Sequence, residues 1–217
     1  MLLFINIHSH HPAAGQELVI QNVHSNFEKP LATGNYSLGL HPWYIEPATW
    51  QQQLQVITPM LQQSNVLALG ECGLDKLCHT DWALQQKVFA AQINLANAVN
   101  KPVVVHCVRG HDEALRMLAR LPVKVPVIFH GFNNRWAIAK QVLEAGHWLS
   151  FGTALQQPGL QQVFQQVPIN QTFLETDDAA TSIELVYAAA AGITNMPIDT
   201  LSLQLQQNFK TVFQVEV

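Results

Sequence analysis

Asn100-Lys101-Pro102-Val103-Val104-Val105-His106 is the stretch whose reading decides the fold. Residues Trp82–Asn100 before it carry a helical pattern. Pro102 cannot continue a helix and biases Lys101 toward extended backbone. Three successive valines then form an apolar run without polar alternation, as expected of a strand covered on both faces in a parallel sheet. A helix that passes into a buried strand within two or three residues is the short αβ connection of a repeating β/α chain.

Outward from this stretch the same unit recurs. Apolar runs predict eight strands, near Leu3–Ile7, Leu18–Val23, Tyr36–Leu40, Val66–Gly70, Val103–His106, Val125–His130, Trp148–Phe151 and Thr172–Glu175. Helical patterns fill Pro47–Gln63, Trp82–Asn100, Asp112–Leu121, Arg135–Ala145, Gln156–Gln166, Ser182–Ala191 and Asp199–Gln214, with Ala145-Gly146 and Ala191-Gly192 read as helix ends. Such alternation fits a doubly wound sheet or a TIM-like (β/α)8 barrel, and the barrel is the expectation. It is trimmed in the first third, because Pro12–Gln16 holds only a turn and Asn26–Asn35 only a short connection. No internal repeat, linker or low-complexity tail marks a second domain, so residues 1–217 are expected to form one.

Composition narrows the function. The chain is 48% hydrophobic and 12% charged, the balance of a chain with a large core. No apolar run approaches the roughly 20 residues of a membrane span, and Met1-Leu2-Leu3-Phe4-Ile5-Asn6 lacks the basic start of a signal peptide, so no membrane association and a cytoplasmic location are expected. Three cysteines without a CxxC pair suggest reduced thiols rather than disulfides or a cysteine zinc site. A net charge of −4 argues against a grip on long duplex nucleic acid through many phosphates. The abundant glutamines are read as helix formers coating the surface, with no site among them.

The chemistry lies in where the polar residues fall. Ile5-Asn6-Ile7 leads into His8-Ser9-His10, Gly39-Leu40 into His41, Leu69-Gly70 into Glu71, Val104-Val105 into His106, Ile128-Phe129 into His130, and Phe173-Leu174 into Glu175-Thr176-Asp177. Barrel enzymes build their sites at these C-terminal strand ends. Residues two apart on a strand face the same way, so His8 and His10 can aim both imidazoles at one ion. Each residue taken singly has an ordinary packing or capping explanation; six such strand ends together favour a metal site. Imidazole and carboxylate without thiolate suit Zn²⁺, Mn²⁺ or another borderline divalent ion, and Mg²⁺ less well.

His8-Ser9-His10, Gly39-Leu40-His41-Pro42-Trp43, Gly70-Glu71-Cys72-Gly73-Leu74-Asp75, Pro102–Cys107, His130-Gly131-Phe132, Ser150-Phe151-Gly152 and Leu174-Glu175-Thr176-Asp177 also resemble, in order, the segments of the TatD family of metal-dependent hydrolases. The resemblance implies a two-metal centre: His8, His10 and Asp177 on one ion, His106 and His130 on the other, Glu71 bridging, and Asp177 also acting as general base or proton shuttle. It implies a deoxyribonuclease or phosphodiesterase acting on single-stranded or short DNA ends or a small phosphodiester; the sequence shows no sign of an obligate protein partner. An amidohydrolase-type enzyme acting on an amide, lactone or small ester is the alternative on the same scaffold. His41 is a candidate for substrate binding or for fixing its own loop. Arg109 is a candidate phosphate clamp, one residue later than the family's usual arginine. Asp75 is expected to organise the loop after Glu71 without ligating metal. His11, His24, His79, His111 and His147 are assigned to surface or packing. Asn6 stands where the family commonly has aspartate, and the proline common after the ETD segment is replaced by Asp178-Ala179-Ala180.

Overall fold

A computed structural model describes residues 2–27 and 31–216. All eight strands are present: β1 Phe4–Ser9, β2 Glu17–Val23, β3 Asn35–Leu38, β4 Val66–Asp75, β5 Val103–Val108, β6 Val127–Phe129, β7 Trp148–Phe151 and β8 Thr172–Leu174. The helices are α1 Trp50–Met60, α2 Trp82–Val99, α3 His111–Arg120, α4 Trp136–Glu144, α5 Pro158–Phe164, α6 Ile183–Thr194 and α7 Ile198–Phe213. The strands form one eight-stranded sheet in chain order. The pairs β1–β2, β3–β4, β4–β5, β5–β6 and β7–β8 are parallel. A parallel bridge between Ser9 and Asp177 sets the exit of β8 beside β1. This is the strand order of a (β/α)8 barrel. Among the described residues no helix separates β1 from β2 or β2 from β3, so the barrel is trimmed where the sequence indicated.

By its contacts the chain divides into two compact units, residues 1–21 with 130–217, and residues 22–129. In the first, Phe151 packs edge-on between Phe132 and Phe164, at ring separations of 5.6 and 4.9 Å. Tyr187 of α6 is buried, and its hydroxyl accepts from Ile5 N at 3.0 Å and donates to Ile5 O at 3.1 Å. In the second unit, Val103–Val105 of β5 and Val66–Leu69 of β4 are almost wholly buried, with Val88, Phe89 and Ile93 of α2.

Three readings are corrected. β4 does not stop at Gly70 but runs through Glu71 to Asp75, placing the GExGLD segment inside a strand. Its glycines let neighbouring backbone close in: at Gly70, φ 145°, a Cβ would lie 2.5 Å from the Val104 carbonyl oxygen, and at Gly73, φ 146°, it would collide with that of His106. Helix α6 passes through Gly192 and ends at Asn195, whose φ of 53° supplies the left-handed cap. Gln85 and Gln92 are not surface coating. Two turns apart on α2 and both buried, they clamp strand-end backbone: Gln85 binds Asp75 N and O at 2.8 and 3.0 Å, and Gln92 binds Leu40 N and O at 2.7 and 3.1 Å. The amide, donor and acceptor at once, can satisfy both groups of one peptide position.

Candidate metal centre

In the first unit His8, His10 and Asp177 come together as the HxH spacing requires. His8 is fully buried at the end of β1, and His10 follows that strand. Both Nε2 atoms lie 3.5 Å from Asp177 Oδ1. Backbone bonds fix the arrangement, with Asp177 N donating to His8 O and His10 N to Asp177 O, each at 3.0 Å. Asp177 itself has φ 54°, a conformation aspartate tolerates. Burial pushes its carboxyl up, but hydrogen bonds from His10 and His8 and the neighbouring imidazoles outweigh that and hold it far below the usual carboxylate range.

His130 joins this group, its ring 4.2 Å from that of His8. Behind it Glu175, wholly buried, accepts from His130 Nδ1 at 3.2 Å and from Gly131 N at 2.8 Å through Oε1. In the neutral ring this puts the proton on Nδ1 and the lone pair on Nε2, the state of a metal-ligating histidine backed by a carboxylate. The other Glu175 oxygen, Oε2, is buried with no hydrogen-bond partner among the described residues. A buried carboxylate oxygen without a donor fits a cation nearby. Ligand atoms of His8, His10 and Asp177, and likewise of His130, Glu175 and Asp177, lie within 4.8 Å of one another.

In the second unit the ligand atoms of His41, Glu71 and His106 meet the same limit. Asn22, a polar residue in the apolar run of β2, holds Glu71 twice: its Oδ1 accepts from Glu71 N at 2.9 Å and its Nδ2 donates to Glu71 Oε2 at 3.2 Å. Glu71 Oε1 faces His106 Nδ1 at 2.8 Å and His41 Nε2 at 3.2 Å. His106 Nε2 is 3.1 Å from Asp75 Oδ2. Asp75 thus does more than organise its loop. It accepts from Leu77 N at 2.7 Å, as expected, but also from Trp43 Nε1 at 2.6 Å, and it orients His106 so that Nδ1 points to Glu71. Burial raises the Asp75 carboxyl; the bonds from Trp43, Leu77 and His106 more than offset this and lower it.

The sequence profile described as TatD related DNase matches residues 21–214. The chain belongs to that family. An uncharacterized metal-dependent hydrolase of Haemophilus influenzae is 30% identical over 168 residues, covering 73% of this chain and 63% of the relative. The 3'-5' ssDNA/RNA exonuclease TatD of Yersinia pseudotuberculosis is 31% identical over 64% of this chain and 55% of its own. The chain thus spans less than two thirds of the length of these two relatives. In fold it is similar to the crystal structure of the TatD homologue YJJV of Escherichia coli, with TM-score 0.81, 24% identity and 98% of each chain covered.

Other family positions behave differently. His41 Nδ1 accepts from Trp43 N at 3.1 Å, which fixes its loop and places the proton of the neutral ring on Nε2, facing Glu71. His41 therefore sits as a hydrogen-bond donor. Arg109 lies exposed after β5 with φ 52°, making no hydrogen bond or ion pair among the described residues. Asn6, where the family commonly has aspartate, donates to Glu17 Oε2 and Thr176 Oγ1 and accepts from Thr176 N, so its amide ties β1 to the segment bearing Asp177. Glu175 and Asn22 are the residues that sequence reasoning left without a role. A glutamate directly after the apolar Phe173-Leu174 and an asparagine inside Leu18–Val23 were the available signals. Of the unassigned histidines, His11 stands 3.4 Å from Asp178 at the surface, while burial lowers His111 and His147, which pack.

Proposed function

We propose that this chain is a divalent-metal-dependent phosphodiesterase that removes nucleotides from the ends of single-stranded or short DNA. The observation that carries the reading is that the buried carboxylate of Glu175 stands behind Nδ1 of His130, so that Nε2 is presented as a ligand atom beside His8, His10 and Asp177. His8, His10, Asp177 and His130 in one unit, and Glu71 and His106 in the other, are the proposed ligands. Two ions and the bridging role of Glu71 follow from the family resemblance, and residues 1–217 are proposed to act as one domain. Bound divalent metal supplies an acidified water and charge to stabilise the phosphorane-like transition state. The chain's own residues do the rest. Asp177, half-exposed and held deprotonated, is the proposed acceptor of the water's proton. His41, with its proton on Nε2, is proposed to donate to a phosphate oxygen, and Arg109 is near enough in sequence to His106 to be tested as a clamp.

The net charge of −4 supports ends and short strands over long duplex, since little of the surface can displace counterions. No helix among the described residues is long and apolar enough to cross a membrane. The test is metal analysis of protein purified without added metal, then reconstitution with Mg²⁺, Mn²⁺ or Zn²⁺ on 3′-labelled single strands. Release of nucleotides that Asp177→Asn abolishes is expected. Turnover of amides or lactones with intact DNA would overturn the reading and favour the amidohydrolase alternative.

A further inference from the structure

In the second unit, beside His41, lies a cavity of about 360 Å³ lined by His24, Phe27, Leu40, Tyr44, Gln53 and Val56, among others. That is within the size range of small-molecule sites. We propose that it is a nucleobase subsite, which takes the base of the nucleotide whose phosphate is cleaved; this rests on the phosphodiesterase reading above.

Three features define what it accepts. Its described lining is built from aromatic, aliphatic, hydroxyl and amide side chains, which suit a neutral group better than a phosphate or carboxylate. One wall is aromatic, with the rings of His24 and Tyr44 stacked at 4.8 Å and 21°. The rest mixes the apolar Phe27, Leu40 and Val56 with the side chains of Asn26, Gln52 and Gln53. Amides offer donors and acceptors together and so match the edge of a heteroaromatic ring better than that of a hydrocarbon. Flat, uncharged, and fringed with donors and acceptors is the description of a nucleobase. Stacking one base on one aromatic side chain is worth roughly 5- to 150-fold in affinity.

Position links the cavity to the chemistry. Tyr44 lines it, the Tyr44 ring is 5.5 Å from that of His41, and His41 Nε2 is 3.2 Å from Glu71 Oε1. A base in the cavity is thus one ring away from the proposed phosphate contact. Trp43 and Tyr44 are also among the most exposed large apolar side chains, at 56% and 50%. Packing does not account for two adjacent aromatics held outward while Trp43 is fixed by its bond to Asp75; a stacking platform does. His24, assigned from sequence to surface or packing, becomes part of that wall.

The experiment has two arms on the full chain. In the first, adenosine and thymidine are titrated into EDTA-treated protein and followed by saturation-transfer NMR. Wild type is expected to bind in the millimolar range or tighter, and Tyr44→Ala, which removes the stack, and Val56→Trp, which fills the cavity, to weaken binding at least tenfold with unchanged circular dichroism. In the second, Mn²⁺-loaded protein is given short 3′-labelled strands with an intact or an abasic terminal nucleotide. Wild type should cut the intact end at least tenfold faster, and both variants should lose that preference. No nucleoside binding by wild type, or equal binding by Val56→Trp, overturns the subsite. Cleavage that is blind to the base overturns it as well and leaves the phosphodiesterase reading standing. Nucleoside binding that the variants abolish, without cleavage of any strand, supports the subsite while the phosphodiesterase reading fails.

Discussion

Glu175→Gln tests the proposed centre at the residue least visible from sequence. The side chain is wholly buried and its Oε1 accepts from both His130 Nδ1 and Gly131 N. Glutamine keeps the size and can still accept one bond through its carbonyl, but the charge is lost. A bond to an ionised acceptor is roughly twice as strong as a neutral one, so the pull that fixes the His130 tautomer is about halved. Substituting a group that backs a ligating histidine typically costs about 10- to 100-fold in metal affinity, which is ~1.4 to 2.7 kcal/mol. Stability without metal should move the other way or not at all, because the native carboxylate buries an oxygen, Oε2, with no hydrogen-bond partner among the described residues. Competition against a chromophoric chelator gives the affinity, and thermal melts in EDTA give the stability. An unchanged affinity with a lowered melting temperature would refute the reasoning and make Glu175 a residue that merely holds the Gly131 turn.

Asp75→Asn should alter the pH dependence of stability measured in EDTA. The folded Asp75 carboxyl lies below its ordinary value of 3.8, so its contribution is fully present above that value and is lost as pH falls through the lower folded one; the wild-type advantage over the variant should shrink in that window. Tyr187→Phe leaves Ile5 N and O, both bonded to the Tyr187 hydroxyl, without that partner in the core, at about 1–3 kcal/mol read from urea denaturation; an effect below ~0.5 kcal/mol would deny the hydroxyl that role. Gly73→Ala forces a Cβ at φ 146° into the His106 carbonyl, and strain of about 1–3 kcal/mol before the clash is counted should appear as a large drop in melting temperature. A single cooperative melt of the whole chain is expected if residues 1–217 are one domain.

The architecture was legible because a parallel sheet buries both faces of each strand. The runs Val66–Leu69 and Val103–Val105 carry no polar interruption, and their buried positions show why none is tolerated. The trimming was legible by length alone, since Pro12–Gln16 cannot hold a crossover helix. What stayed hidden depended on partners distant in sequence. β4 reads as ending at Gly70 because Glu71, Cys72 and Gly73 break the apolar pattern, yet pairing with β5 carries the strand on to Asp75. The Ala191-Gly192 pair looks like a helix end, but glycine inside a helix costs only about 1 kcal/mol, and Asn195 three residues on could provide the left-handed cap. Gln85 and Gln92 look like any other helix-forming glutamine. Only their spacing of two turns, on the face that also carries Phe89 and Ile93, marked them as facing inward.

For the site, residue type and strand position found the imidazoles but could not say which were ligands. A neutral imidazole has one lone-pair nitrogen, and the partner of the other nitrogen decides which it is. His130 has the Glu175 carboxylate behind it, so its proton is drawn to the rear and the lone pair is turned forward, whereas His106 stands between two carboxylates, Glu71 at Nδ1 and Asp75 at Nε2. His41 has the reverse of the His130 arrangement. Its rear nitrogen accepts a backbone N–H from Trp43, two residues along the same loop, so its forward nitrogen carries the proton. All three belong to an apolar run and all three match a family segment, yet the ring of His130 is set to ligate and that of His41 to donate. The difference lies in a carboxylate against an amide N–H at a distance of about 3 Å, and it predicts that replacing His41 should weaken substrate binding more than metal binding, the opposite of replacing His130.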